Sequence, residues 1–315
     1  SYALPGAMDA VDRAAQETGI RAVLSFETTG RISPEHAALG LAENVNLVKK
    51  LRERKDTRIS ARIGVHTTYT CSTELLVEVK KTADELGVVY MMHHLDDRYH
   101  HFDTTKRFGK RPTKYLEDIG FLSPNLVLFH CSYIDPIKDP AIFKEYDVKV
   151  AHNAESNAIF SFWPNMVPLI EAGVTVGLGT DGQTFSYFET MRTAQMIHRI
   201  RYENPEVFPD AQVLRMATIE GAKALQKEDE IGSLEVGKKA DLVVLNTRST
   251  VPIFEANVLN YIVGVCERID VNGVVIDGEI IMQDGEFVNI DEEEVRAMSG
   301  EVAVKLWKRN DWPTP

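Results

Sequence analysis

Cysteine is scarce in this chain: Cys71, Cys131 and Cys266 are the whole complement among 315 residues. They are odd in number, far apart, and form no C-x-x-C pair. No disulfide framework is indicated, a thiolate zinc site is disfavoured, and a reducing, cytoplasmic setting is expected. Positive charge is also short. Lys and Arg number 35 against 47 Asp and Glu, leaving a formal net charge of -12. Such a surface repels phosphate backbones, so nucleic acid is not the expected partner. The acidity is dispersed, apart from Asp291-Glu292-Glu293-Glu294, which reads as a helix start. No apolar stretch approaches the length of a membrane span, and no signal-peptide pattern is present.

What remains is ordinary globular material, 44% hydrophobic and 26% charged. Its length suits one large barrel, or a barrel with a small domain. Apolar runs at 20–26, 58–65, 88–93, 126–129, 148–151 and 174–179 read as buried strands. Helical patterns are expected at 7–18, 40–54, 72–86, 110–118, 140–145, 163–172, 186–201 and 210–225. Strand and helix in alternation mark a parallel sheet covered by helices. A complete (β/α) barrel has eight strands, and six are legible here. After Leu225 the texture changes. Asn272-Gly273 and Asp277-Gly278 sit between β-branched runs and signal hairpins. The segment 291–308 reads as an amphipathic helix.

In a barrel of this kind the chemistry lies at the C-terminal strand ends. Five successive strands end on His66, His94, His130, His152 and Asp181, and the chain has 9 histidines in all. A lone histidine there is more often a hydrogen-bonded structural residue, and a lone Asp after Gly-Thr more often a turn or helix cap. The combination points elsewhere. Imidazoles and a carboxylate converging from different strands suit a divalent ion such as zinc or ferrous iron.

Several motifs resemble the amidohydrolase superfamily. His94-Leu95-Asp96-Asp97 is similar to its His-x-x-Glu, and Phe129-His130-Cys131-Ser132 to its Ala-His-Cys-Val. Ala151 to Asn157 resembles its His-Asn-Pro-x-Ser-Asn, and Gly177 to Gly182 its strand-eight motif. The likeness is greatest to the aminohydrolase and chlorohydrolase branch, in particular the SsnA-type aminohydrolases. It implies a (β/α)8 TIM-type barrel of the metal-dependent hydrolase kind, here lacking its first two strands. The barrel would occupy residues 1–228, a small β-sandwich part 229–290, and a C-terminal helix 291–315.

The same resemblance implies a reaction and its residues. His94 and Asp181 would hold one divalent metal, zinc first and iron(II) second. Asp181 would also take a proton from the metal-bound water, and Asp97 would shuttle it to the leaving group. His130 would hydrogen-bond the developing charge, and His66 and His130 would contact substrate. The activity implied is hydrolytic deamination of a nitrogen heterocycle or amidine-like small molecule by a metal-bound hydroxide. Hydrolytic dehalogenation or dealkylamination of a triazine-like ring is the alternative, and a non-catalytic binding barrel a third reading. A homodimer is consistent with the resemblance.

Two departures stand out. Asp97 is a methylene shorter than the family's glutamate. His93, His100 and His101 nearby read as part of a solvated loop, in preference to a second metal site. The His-x-His pair expected on strand one has no counterpart, since His36 is isolated. With Ser1 at the start, the expectation is a fragment of a longer product; a second polypeptide supplying the strands is the alternative.

Overall fold

The computed structural model describes residues 4–312, apart from residue 55. Helix α1 (Ala7–Thr18) ends on Gly19 and leads into β1 (Ala22–Leu24) and β2 (Glu27–Thr28). Then follow α2 (Pro34–Glu53), β3 (Ile59–Ala61), β4 (Ile63–Val65), α3 (Thr73–Leu86) and β5 (Tyr90–His94). Next come α4 (Arg98–Phe108), α5 (Pro112–Asp118), β6 (Leu126–His130), α6 (Asp139–Glu145) and β7 (Lys149–His152). The parallel part closes with α7 (Ala154–Ile159), α8 (Val167–Glu171), β8 (Val176–Leu178), α9 (Tyr187–Tyr202), α10 (Asp210–Ala217) and α11 (Ile219–Ala224).

Strands β2-β4-β5-β6-β7-β8 form one parallel sheet in that order, and β1 pairs separately with β3. The first apolar run, 20–26, holds β1, with β2 just beyond it in the other sheet, and the second, 58–65, breaks into β3 and β4, one in each sheet. Asn44 of α2, fully buried, explains how the break is tolerated. Its Oδ1 accepts from the Phe26 N–H at 2.9 Å, and its Nδ2 donates to the Phe26 carbonyl at 2.9 Å. The interrupted backbone thus keeps its partners through a side chain. Gly64 lies opposite. A Cβ there would come 2.6 Å from the Phe26 carbonyl oxygen, so only glycine lets the two strands approach.

Buried Leu, Val, Ile, Met and Phe from the strands and covering helices form the main core, and Val89, Met91 and Val127 of the strand region form a second, smaller cluster. The burial of four residues in five of both β5 and β6 is what a parallel sheet with covered faces demands. Of His93, His100 and His101, expected in a solvated loop, the first lies in β5 and the other two in helix α4. Asp97 caps it, accepting from the His100 N–H at 2.8 Å, and Gly109 ends it.

The rest is β9 (Leu242–Leu245), α12 (Val258–Gly264), β10 (Val271–Ile276), β11 (Glu279–Gln283), β12 (Glu286–Phe287) and α13 (Glu292–Arg309). The four strands make one antiparallel sheet ordered β12-β11-β10-β9. Helix α13 matches the expected tail helix but buries none of its residues. Arg21, next to β1, ties this sheet to the parallel part. Its guanidinium grips the Asp241 carboxylate with two hydrogen bonds and lies 3.6 Å from Asp277. Among the described residues no helix is long and apolar enough to cross a membrane.

Candidate metal centre at the strand ends

The ends of β2, β4, β5, β6 and β8 bring polar side chains to one mouth. His93, the penultimate residue of β5, places Nδ1 3.0 Å from His130 Nε2 at the end of β6. His130 Nε2 in turn lies 4.0 Å from Asp181 Oδ2. On the other side, His66 packs edge-on to His93 with ring centroids 5.4 Å apart. Glu27 reaches both: its carboxylate is 3.4 Å from His66 Nε2 and 4.0 Å from His93 Nε2.

His94, expected at this mouth, faces the other way. Neighbouring residues on a strand point to opposite sides. Its ring is fully buried in the helix layer, where Nε2 meets Thr113 Oγ1 at 3.0 Å and the ring packs on Phe143. The reading of the His-x-x-acid motif shifts by one residue accordingly, from 94–97 to 93–96. Asp97 is occupied as the cap of α4, while Asp96 turns toward the histidines. His152 also points away, edge-on to His198 and Phe208 in the core. His66, His130 and Asp181 lie at the mouth, as their strand-end positions suggested.

The motif after β7 holds the site in place. Asn157 Nδ2 donates to His130 Nδ1 at 3.0 Å, and Ser156 Oγ donates to Asp181 Oδ2 at 2.6 Å. Asn153 Nδ2 lies 3.4 Å from the His130 ring nitrogens. Gly179 makes room for it, since a Cβ there would sit 2.2 Å from Asn153 Oδ1. The backbone is bent to the same end. Leu95, His130, Cys131 and Asp181 all adopt left-handed φ angles, 49°, 69°, 50° and 56°. Such conformations cost about 1–3 kcal/mol each and persist only when the surroundings impose them.

Electrostatics set the protonation states. Burial lowers the pKa of His93 to about 4, reinforced by the neighbouring His130, and burial likewise lowers His130. Both are neutral at pH 7; with Asn157 donating to Nδ1 of His130, that ring carries its hydrogen on Nε2. Burial would raise Asp181, but the bonds from Ser156 and the Gly182 N–H, with His130 and His93 nearby, keep its carboxyl below the usual range. Burial would also raise Asp96, but its hydrogen bond with His100 holds it well below that range. Two neutral imidazoles and a carboxylate are a donor set of the zinc type. Among the described residues no group of three or more His, Cys, Asp or Glu side chains is placed so that it could hold a metal ion.

Glu27 gave no sequence signal, because its strand breaks just before it. The aromatic groups at Phe160 to Trp163 and Phe185 to Phe188 are largely exposed, Phe185 at 89%. A cavity of about 540 Å³ lies outside the cluster, lined by Arg98, His101, Phe102, Thr105, Lys106 and Tyr133. None of the mouth residues lines it.

Comparison with known proteins gives the family. The model of the Amidohydrolase family matches residues 1–281. A 5-methylthioadenosine/S-adenosylhomocysteine deaminase of Syntrophomonas wolfei is 35% identical over 305 residues, covering 95% of this chain and 70% of that protein. A 5'-deoxyadenosine deaminase of Methanothermobacter thermautotrophicus is 33% identical, with the same coverage, 95% and 70%. Among solved structures, an adenosine deaminase from Xanthomonas campestris with bound zinc superposes with a TM-score of 0.87 at 25% identity, covering 96% of this chain and 69% of that one. A triazine hydrolase from an Arthrobacter species shares the fold, with a TM-score of 0.81 at 21% identity, covering 94% and 68%. With the family model matching through residue 281 and relatives above 30% identity along nearly its whole length, the chain belongs to the amidohydrolase family.

Proposed function

We propose that this chain carries the catalytic mouth of a metal-dependent aminohydrolase that removes the amino group of an adenosine-like nucleoside. The observation that carries the reading is the single cluster of His93, His130 and Asp181, with Asp96 beside it and Glu27 and His66 opposite. The names of the relatives supply the substrate class.

His93 and Asp181 are the residues proposed to hold a divalent ion, zinc before iron, in place of the His94 and Asp181 pair. They provide two of the four donors a tetrahedral site takes. When bound, the ion supplies a water acidified to near neutrality. Asp181, ionised and fixed by Ser156, accepts the proton of the attacking water. That water's oxygen bonds to the ring carbon bearing the amino group, while a ring nitrogen takes up a proton. Asp96, ionised at rest, takes up that water proton from Asp181, hands it to the ring nitrogen, and then carries the water's second proton to the departing amine. His130, held by Asn157, donates from Nε2 to the charge that develops on the oxygen. Glu27 and His66 face the substrate from the opposite wall.

The test is ammonia release from adenosine, 5'-deoxyadenosine and 5-methylthioadenosine, against a guanine, pterin and triazine panel, with metal content measured on the same sample. Release confined to the adenosine set, with near-stoichiometric zinc, is expected. Release from triazines alone would favour the alternative leaving-group chemistry. A filled metal site with no turnover would sink the enzyme reading in favour of a binding barrel. Asp96→Asn is expected to lower kcat by roughly 100- to 10,000-fold, the usual contribution of a positioned acid–base group.

A further inference from the structure

We propose that α13 is a self-association helix, whose exposed face docks antiparallel on the same face of a second copy of this chain. The inference stands apart from the catalytic reading, since no residue of α13 belongs to the mouth.

Helix α13 runs from Glu292 to Arg309 and buries none of its residues. At about 100° per residue, Val295, Met298, Val302 and Leu306 fall within an arc of roughly 80°. All four are between 48% and 63% exposed. Ala303, Val304 and Trp307 are half-buried and lie on the far side of the helix. One side of α13 is thus turned to its own chain, and the apolar stripe is turned away from it. A single exposed apolar side chain is ordinary. Four in one line along about three turns form a seam.

The charges along the helix select the occupant. Its first turn is acidic, Glu292 to Glu294 after Asp291, and its last turn carries Lys308 and Arg309, with Lys305 just before. Parallel pairing of two copies would set acid on acid and base on base. Antiparallel pairing reverses this. With a two-fold axis level with Gly300, Met298 meets Val302 of the second copy, and Val295 lies beside its Leu306. Glu294 and Lys305 flank the stripe on the same side, within about 20° of each other. Each Glu294 therefore faces a Lys305 across the seam, and Asp291 approaches Arg309. The contact occurs twice, as two-fold symmetry requires. Within its own chain Lys305 lies 3.5 Å from Glu301, an exposed pair of little worth. A net charge of -12 otherwise makes copies of this chain repel one another; the seam brings opposite charges together. At about 27 Å of helix the contact is small. Association is accordingly weak, reversible and sensitive to salt.

The test is sedimentation equilibrium of the 315-residue chain over a range of concentrations, at low and at high salt. A monomer–dimer equilibrium that salt weakens is expected. Met298→Ser combined with Val302→Ser should weaken it by at least about 10-fold, through apolar burial lost on both copies. Glu294→Lys and Lys305→Glu should each weaken it on the order of 10-fold at low salt, because each reversal turns two attractions into repulsions. The double variant Glu294→Lys/Lys305→Glu should return to within about twofold of the parent. Melting of the helix cannot give that pattern. Each reversal opposes the helix dipole, so the double variant would then be the worst of the three. Asp291 is left in place because it caps α13, accepting from the Glu294 N–H at 2.9 Å. A chain that stays monomeric at every concentration, as it would with the stripe covered by another protein or by more of its own chain, overturns the inference. So does association indifferent to these substitutions, or a double variant as weak as the singles.

Discussion

The mouth of the parallel sheet and the small antiparallel sheet draw on the same Val, Ile and Leu runs and treat them oppositely. Every residue of β4 is buried, and so are four of the five in both β5 and β6. No residue of β9, β10, β11 or β12 is. The first sheet is covered by helices on its outer face and by its own side chains within. The second stands with Val243 at 55% and Ile280 at 51% exposure. Polar groups follow the same division. At the mouth His66 and His130 are buried, His93, Asp96 and Glu27 half-buried, and the bonded groups lie on backbone with several left-handed turns; in the small sheet most polar groups are at the surface. Sensitivity to substitution should therefore be steep at one place and shallow at the other.

The largest effect is expected from His93→Ala. Loss of a metal donor should exceed the 10- to 100-fold that outer partners cost, in both zinc affinity and turnover. His94→Gln should leave zinc stoichiometry intact and act on stability alone. The reverse pattern, with zinc lost only in the His94 variant, would return the site to the 94–97 register.

Next comes pH. Burial lowers the pKa of His198 from 6.5 to about 4. It is neutral in the fold, while the unfolded chain takes up a proton below about 6.5. Stability is then full above pH 6.5 and falls as pH drops toward 4, by up to about 3 kcal/mol for a shift of this size. His66, also lowered by burial to about 4, adds to the same slope from the mouth. Urea unfolding between pH 4 and 7 measures it, and His198→Gln should reduce the slope by about one proton. A profile that is flat in the parent chain would contradict the buried, neutral state.

Gly179→Ala should cost about 1–3 kcal/mol by overpacking against Asn153. It should also loosen the hold on His130, seen as a lower kcat. Asp97→Ala removes a helix cap and should cost about 1 kcal/mol with turnover unchanged. A turnover loss comparable to that of Asp96→Asn would mean that Asp97 takes part in the chemistry after all. Smallest of all, Val243→Ser on the open sheet should change stability by no more than about 0.5 kcal/mol. A cost well above that would reveal that something covers this face in solution.

Much of the architecture was legible because parallel strands buried on both sides read as apolar runs. The strand ends then located His66, His130 and Asp181. The register at β5 was not legible. His93-His94-Leu95-Asp96-Asp97 contains the same spacing twice, and a period-two strand sends the two copies to opposite sides. One signal could have separated them: an Asp directly before Arg98-Tyr99-His100 is a strong N-cap, and a residue engaged as a cap is not free to shuttle protons. Helix α4 itself was hidden because its buried residues, His100 and Thr104, are polar. No hydrophobic periodicity marks such a helix. Glu27 was hidden by the interruption at Phe26, which only the side chain of Asn44 makes tolerable.

The clamp of Arg21 on Asp241 and Asp277 bears on how this protein can be dissected. The guanidinium is 8% exposed and sits at the start of the first strand, more than two hundred residues from its partners in the chain. Cutting near residue 228 would yield a catalytic half whose buried guanidinium has lost both carboxylates, and a small sheet whose Asp241 has lost its two hydrogen bonds from Arg21. The boundary visible in the sequence texture is therefore a poor place for scissors. A minimal version of this protein should keep both ends of that clamp or replace them together.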